Sequence, residues 1–183
     1  SGNNTNQAVA RLDTDVRSHT PDWAIVQFGL NDCWVDSQVQ GGAPRVPIDT
    51  YTANLTQIVS TLKRDGAKVI LMTTNQTNTD TSSPNFYPAW QENMLASYNQ
   101  RVRNLAATQG VKLLDVWQMY SDYVAIPGHT VNDLRVDNYE HPNQAGHIMV
   151  ANALITTIVP EPSSLILALA AVPGLFWLAR RRR

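Results

Sequence analysis

The sequence predicts an α/β domain in which a parallel sheet lies between two layers of helices. Short apolar runs, typical of buried strands, alternate along the chain with longer segments whose apolar residues recur at helical spacing. Strands that are separated by helices pair in parallel through right-handed crossovers. Residues 1–158 suffice for one domain with a single core, and the apolar, arginine-ended stretch 159–183 forms a second region.

Two helices and two strands are predicted in the first half of the chain. A helix begins near Thr5, and the apolar run 23–28 is short and rich enough in β-forming residues to be a buried strand. Apolar residues then recur at helical spacing over 49–64, which predicts an amphipathic helix that ends before Gly66. The run 68–73 is the second strand.

The second half repeats this alternation. Helical spacing extends over 94–105 with Gly110 as a stop signal, 111–116 is a third strand, and Asn143 can cap a last helix that ends near Ile158. In parallel α/β sheets, functional groups collect in loops beyond the carboxyl ends of the strands. We therefore expect the functional site in the loops that follow the three strands.

Charge and cysteine content exclude several classes of function. The formal net charge is −1 and becomes more negative without the four terminal arginines, so no basic face for nucleic acid is indicated. Cys33 is the single cysteine, which excludes an internal disulfide and a cysteine-based zinc site. We interpret it as a buried filler, with a catalytic thiol as the alternative.

The segment Gly29-Leu30-Asn31-Asp32 directly follows the first predicted strand. Gly29 permits a backbone turn that is closed to other residues, and the amide of Asn31 can then lie over the top of the sheet. A preorganised amide N–H is the kind of donor that stabilises a developing oxyanion. The alternative is an ordinary turn, since Asn and Asp are common turn formers.

A histidine precedes the last predicted helix. Pro142 biases His141 towards an extended conformation, so its ring can project into the loops above the sheet, with an upstream acid to orient it. The histidine and the acid would then be two of the three members of a catalytic triad: the general base and the residue that orients it. His147 lies in the first turn of the helix, where a surface or packing role is expected, and His19 and His129 show no partner pattern.

Together these motifs resemble the SGNH/GDSL hydrolase family, a branch of serine esterases with a flavodoxin-like three-layer α/β/α fold. Ser1-Gly2-Asn3-Asn4-Thr5 is similar to the second sequence block of that family, 29–32 to the third, and His141-Pro142 with its upstream acid to the fifth. The order and spacing of the three blocks make the joint resemblance specific.

The resemblance implies roles for individual residues. The backbone N–H of Gly2 and the side chain of Asn31 would be oxyanion donors, His141 the general base, and Gly29 and Asp32 supporting residues. It implies no cofactor and no metal.

Two departures from the family pattern affect the expected chemistry. The G-D-S block that supplies the nucleophilic serine is absent, and Ser1 lies before the oxyanion glycine. The chain also begins without an initiator Met or a signal peptide. We therefore expect a piece of a longer protein, which lacks the first strands of the sheet and the nucleophile and is inactive alone.

The second departure concerns the acid. The family usually has Asp three residues before the histidine, where this chain has Asn138, and Asp137 lies four before. We assign Asp137 to the triad and interpret the spacing as a one-residue loop expansion, with Asp133 and Glu140 as alternatives. An Asn in this role would weaken the enzyme, because the corresponding loss lowers turnover about 10⁴-fold in serine proteases.

The end of the chain resembles the PEP-CTERM sorting signal of Gram-negative bacteria. Pro160-Glu161-Pro162 precedes an uncharged run of 17 residues, 163–179, and then four arginines. The run is just long enough to span a bilayer, and the arginines would hold its end in the cytoplasm; the alternative is a buried C-terminal helix. The resemblance implies export, recognition by an exosortase, membrane anchoring before processing, and release to the cell surface or extracellular matrix.

The leading hypothesis is thus an exported serine ester hydrolase. An acetylated carbohydrate is the expected substrate, since the sorting signal is associated with exopolysaccharide producers and Trp34, Trp90 and Tyr87 could line a cleft for a sugar. The alternatives are a lipid or aryl esterase or thioesterase of the same family, and a non-catalytic surface or matrix protein that retains the fold.

Overall fold

The computed structural model describes residues 2–79, 87–136 and 140–159. Within these ranges, three parallel strands lie in the order β1-β2-β3. The strands are β1 Trp23–Gln27, β2 Lys68–Met72 and β3 Lys112–Leu114. The helices are α1 Thr5–Asp15, α2 Leu30–Cys33, α3 Ile48–Arg64, α4 Ala89–Gln109, α5 Val116–Val124 and α6 Gln144–Ile158, with short 3-10 helices at Arg17–His19 and Val131–Leu134.

Alternate residues of the central strand face two separate apolar cores. Val69 and Leu71 pack into the core formed with α1, α3 and α4, whereas Ile70 and Met72 pack into the core formed with α5 and α6. This alternation follows from the pleat of a strand, whose successive side chains point to opposite faces. The predicted three-layer α/β/α architecture is confirmed.

The largest difference from the predicted elements lies after β3. The strand predicted over 111–116 ends at Leu114, because the side chain of Asp115 accepts a hydrogen bond from the backbone N–H of Gln118 (3.2 Å). Such a cap starts a helix, and Val116 is the first residue of α5. The apolar run therefore contains a strand followed directly by a helix.

Two predictions concern residues outside the described ranges. The proposed triad acid Asp137 with its neighbour Asn138, and the sorting and membrane segment at 160–183, are not among the residues that the structure describes. In the ranges that are described, no helix combines the length and the apolar character needed to cross a membrane.

Strand β1 pairs with β2 along one side, and its other side borders an apolar groove of about 330 Å³. The groove is lined by residues of β1, α1 and α3, including Leu12, Ala24, Val26 and Leu62. Ile25 is 48% exposed beside it. Edge strands with apolar neighbours favour pairing with another chain.

We predict that residues 1–159, expressed without the apolar run, self-associate through this edge. Ile25→Lys should reduce the association, because a charged side chain on an edge strand opposes strand pairing. Thr108→Lys, at an exposed position of α4, adds the same charge away from the edge and serves as the control. Sedimentation velocity over a concentration series measures the effect. A monomer at every concentration, or equal suppression by both substitutions, would contradict the prediction.

Candidate active site

The loops after β1 and β2 enclose a cleft of about 360 Å³ at the carboxyl edge of the sheet. Its lining includes three of the predicted site residues, Gly2, Gly29 and Asn31, together with Thr74 and Asn75. The residues after β1 and those after β2 meet here because parallel strands end at the same edge of the sheet, and Gly2 joins them from the segment before α1. The cleft is therefore the candidate active site.

Gly29 turns the chain sharply from β1 into α2. Its φ is 136°, a backbone conformation that favours glycine. A Cβ atom here would also lie 3.4 Å from the Tyr51 hydroxyl and 3.4 Å from Thr74 Cγ2. The Tyr51 hydroxyl donates a hydrogen bond to the carbonyl oxygen of Phe28 (3.0 Å), which fixes the backbone directly before Gly29. The turn places Asn31 in the first turn of α2, on the lining of the cleft.

Gly2 reaches the cleft from the start of α1. Its φ is +81°, and no atom would obstruct a Cβ there. Asn4 caps the helix by accepting from the N–H of Gln7 (3.2 Å), while the Gln7 side chain accepts from the N–H of Asn4 (2.9 Å). This reciprocal capping box fixes the direction in which the chain enters α1. The cap therefore holds the backbone immediately after Gly2.

A buried carboxylate joins these two segments. Oδ1 of Asp32 accepts hydrogen bonds from the backbone N–H (2.8 Å) and the hydroxyl (2.6 Å) of Thr5. Asp32 is fully buried, and burial raises the pKa of its carboxyl above the usual value, although the bonds from Thr5 act in the opposite direction. Within the described part of the chain, Oδ2 of Asp32 has no hydrogen-bond partner. Asp32 thus fixes the position of the segment after Gly2 relative to the segment that carries Asn31.

The loop before α6 carries His141. Its backbone closes a narrow hairpin, in which the N–H of Val136 donates to the carbonyl of His141 (2.9 Å) and the N–H of Asn143 donates to the carbonyl of Leu134 (2.9 Å). The predicted cap is confirmed, because the side chain of Asn143 accepts from the N–H of Gly146 (3.0 Å). The side chain of His141 is 68% exposed.

Asn75 connects this hairpin to the cleft. Its amide donates to the carbonyl of Glu140 (2.8 Å) and to the carbonyl of Gln76 (3.0 Å), and its side chain is almost fully buried. The residue directly before His141 is therefore bonded to a residue that lines the cleft. The approach of His141 and Asn31 to a common substrate stays a prediction.

Two of the three carboxylates considered for the triad can be described. Asp133 accepts from the N–H (2.9 Å) and hydroxyl (3.0 Å) of Thr130 and lies 3.7 Å from Nδ1 of His129. These contacts hold it within its own loop. Oε1 of Glu140 lies 3.7 Å from Nε2 of His141. Of the two described alternatives to Asp137 as the triad acid, Glu140 is therefore the one that contacts His141.

The surroundings of Cys33 agree with a structural role. The residue is fully buried, and burial raises the pKa of its thiol to about 12, so the reactive thiolate is absent at neutral pH. Sγ lies 3.8 Å from the hydroxyl of Tyr87. Tyr87 is itself fully buried and packs against Trp34 with ring centroids 5.6 Å apart. The expectation that Tyr87 lines a sugar cleft is therefore wrong, because its side chain has no exposed surface.

Residues 1–148 match the family model of the GDSL-like lipase/acylhydrolases. An acetylxylan esterase of Geobacillus stearothermophilus is 26% identical over 161 residues, which are 86% of this chain and 68% of the enzyme. An arylesterase of Vibrio mimicus is 35% identical over 72 residues, which are 39% of this chain and 32% of the enzyme.

The crystal structure of Axe2, an acetylxylan esterase from Geobacillus stearothermophilus, has a TM-score of 0.70 at 26% identity and covers 88% of this chain and 70% of its own. Catalytic mutants of Axe2 that replace a serine, an aspartate or a histidine by alanine have TM-scores of 0.70, 0.69 and 0.70. In Axe2 that aspartate lies three residues before that histidine.

We predict different effects for two substitutions of Asp32. Asp32→Ala should lower the free energy of unfolding by about 1–3 kcal/mol, because it leaves the buried N–H of Thr5 without an acceptor. Asp32→Asn keeps that acceptor and carries no charge, so at pH 7 it should destabilise the protein less than Asp32→Ala does.

The pH dependence tests the cause. A carboxyl whose pKa is raised by folding contributes stability below its unfolded pKa and loses that contribution as the pH rises through the folded value. The free energy of unfolding of Asp32→Asn, relative to that of the wild type, should therefore fall as the pH is lowered to about 4, the ordinary pKa of Asp. Urea unfolding at a series of pH values between about 3.5 and about 7.5 measures this dependence. A stability difference that does not change with pH would contradict a raised pKa.

Proposed function

Because the chain belongs to the GDSL-like lipase/acylhydrolase family, we propose that it supplies the oxyanion donors and the general base of an exported serine ester hydrolase. The observation that carries this proposal is the cleft shared by Gly2, Gly29 and Asn31 at the carboxyl edge of the sheet. Amide donors in a half-enclosed cleft suit a reaction in which negative charge develops on a carbonyl oxygen.

The proposed reaction is acyl transfer in two steps. A serine hydroxyl attacks the ester carbonyl while His141 accepts its proton, and the oxyanion accepts hydrogen bonds from the N–H of Gly2 and from Nδ2 of Asn31. His141 then donates the proton to the leaving alcohol, and water repeats the sequence to release the acid. Among the described residues, Nδ2 of Asn31 donates no hydrogen bond, so it is available to the oxyanion.

We propose that the nucleophilic serine lies outside residues 2–159. None of the described residues that line the cleft is a serine. No strand of the described ranges pairs with β1 on the side away from β2, and this side and the apolar groove beside it offer a place where a further strand could pair and carry that serine to the carboxyl edge.

Asp137 is the proposed orienter of His141. The spacing of three residues between the catalytic aspartate and histidine of Axe2 would place Asn138 in this role, and an amide cannot stabilise the imidazolium as a carboxylate does. A one-residue expansion of the hairpin would allow Asp137 to take the position. Glu140, at 3.7 Å from His141, is the alternative.

An acetylated carbohydrate is the proposed substrate, supported by the similarity to acetylxylan esterases. The arylesterase similarity supports the alternative of an aryl or lipid ester. The resemblance of residues 160–183 to a PEP-CTERM signal supports export, an exosortase partner, and a membrane segment at 163–179. A non-catalytic protein that retains the fold is the second candidate, favoured by the Asn at position 138.

We predict that the full-length natural protein hydrolyses acetylated xylan and p-nitrophenyl acetate faster than medium-chain acyl esters. Asn31→Ala should lower kcat about 10²–10³-fold, because it removes one oxyanion donor. Asp137→Ala should lower kcat by up to about 10⁴-fold, as does loss of the acid in a serine protease, whereas Asn138→Ala should change it little. Steady-state kinetics with thermal melts as the folding control measure these effects.

Two results would contradict the assignments separately. Nearly full activity of Asp137→Ala, together with a large loss in Asn138→Ala, would move the orienting role to Asn138. A folded full-length protein that hydrolyses none of these esters would favour the non-catalytic alternative.

A further inference from the structure

The guanidinium of Arg45 contacts the predicted oxyanion donor from outside the cleft. Nη1 of Arg45 donates to Oδ1 of Asn31 at 3.4 Å, a long hydrogen bond in which the donor is charged. Arg45 does not line the cleft. The contact therefore engages the oxygen end of the amide and leaves its nitrogen end for the cleft.

Arg45 is itself held in place by two side chains, those of Asp36 and Trp34. Its Nε (2.9 Å) and Nη2 (2.7 Å) both donate to Oδ1 of Asp36, and its guanidinium carbon lies 5.9 Å from the ring centre of Trp34. Charge-assisted bonds to a carboxylate and a cation–π contact each restrict a guanidinium to one position.

The backbone of the same loop is closed next to Asn31. The N–H of Arg45 donates to the carbonyl of Trp34 (2.9 Å), and the N–H of Val46 donates to the carbonyl of Asp32 (2.9 Å). The loop between these residues therefore returns Arg45 to the side of α2. The position of the guanidinium beside Asn31 is thus fixed by both main-chain and side-chain bonds.

We propose that Arg45 is a positioning residue that orients the Asn31 side chain as an oxyanion donor. An amide can rotate by half a turn and present its oxygen instead of its N–H groups, and an oxygen in the cleft would repel the oxyanion. A cation at Oδ1 favours the orientation in which Nδ2 faces the cleft, and it polarises the amide so that its N–H groups donate more strongly. This inference rests on the proposed role of Asn31.

The test uses the full-length esterase with an acetyl ester as substrate. Arg45→Met keeps an unbranched apolar side chain beside Trp34 but removes the charge and the donors, and it should lower kcat about tenfold with KM unchanged, the pattern of an interaction made only in the transition state. Arg45→Lys, which restores the charge, should recover part of the loss. Arg101→Met removes an exposed arginine that pairs with Asp49 and does not line the cleft, and it should leave both constants unchanged.

A double-mutant cycle separates positioning from a general structural effect. In the Asn31→Ala background, Arg45→Met should change kcat less than about twofold, because the group that Arg45 orients is gone. An equal loss in both backgrounds, or a change in KM alone, would overturn the proposal. If Asn31→Ala lowers kcat and Arg45→Met does not, the role of Arg45 alone is refuted. If Asn31→Ala has no effect, the assigned oxyanion donor and the role of Arg45 both fail.

Discussion

The candidate site depends most on the hydrogen bonds between Asp32 and Thr5. A carboxylate with no exposed surface is costly to bury unless it is well bonded, and here the N–H and hydroxyl of one residue bind the same oxygen. The bonds join segments 27 residues apart in sequence. They connect the helix that follows Gly2 directly to the turn that carries Asn31.

The remaining contacts of the site extend this arrangement to two more loops. Asn75 bonds the wall of the cleft to the residue before His141, and Arg45 bonds the outer side of Asn31. Each loop follows or adjoins the carboxyl end of a parallel strand, so the sheet determines where they meet. Hydrogen bonds between loops then determine which atoms face the cleft.

Local pattern was enough to predict the three strands and the helices α1, α3, α4 and α6, but not α2, α5 or these contacts. Helical spacing predicted α3, and the strand-exit position of Gly29 and the cap at Asn143 follow from their immediate neighbours. The roles of Arg45 and Asn75 depend on partners that lie 14 and 65 residues away, for which no periodicity or spacing gives a signal. The burial of Tyr87 and the start of α5 at Val116 likewise result from tertiary packing and from the cap at Asp115.

We propose that this chain holds the oxyanion donors and the base, while the nucleophilic serine comes from outside residues 1–183. Labelling of the full-length natural protein with a fluorophosphonate, followed by peptide mapping, locates that serine. We expect one adduct, on a serine that is not part of residues 1–183, with slower labelling in His141→Ala. An adduct on a serine within these residues would show that the nucleophile belongs to this chain and would refute the proposal.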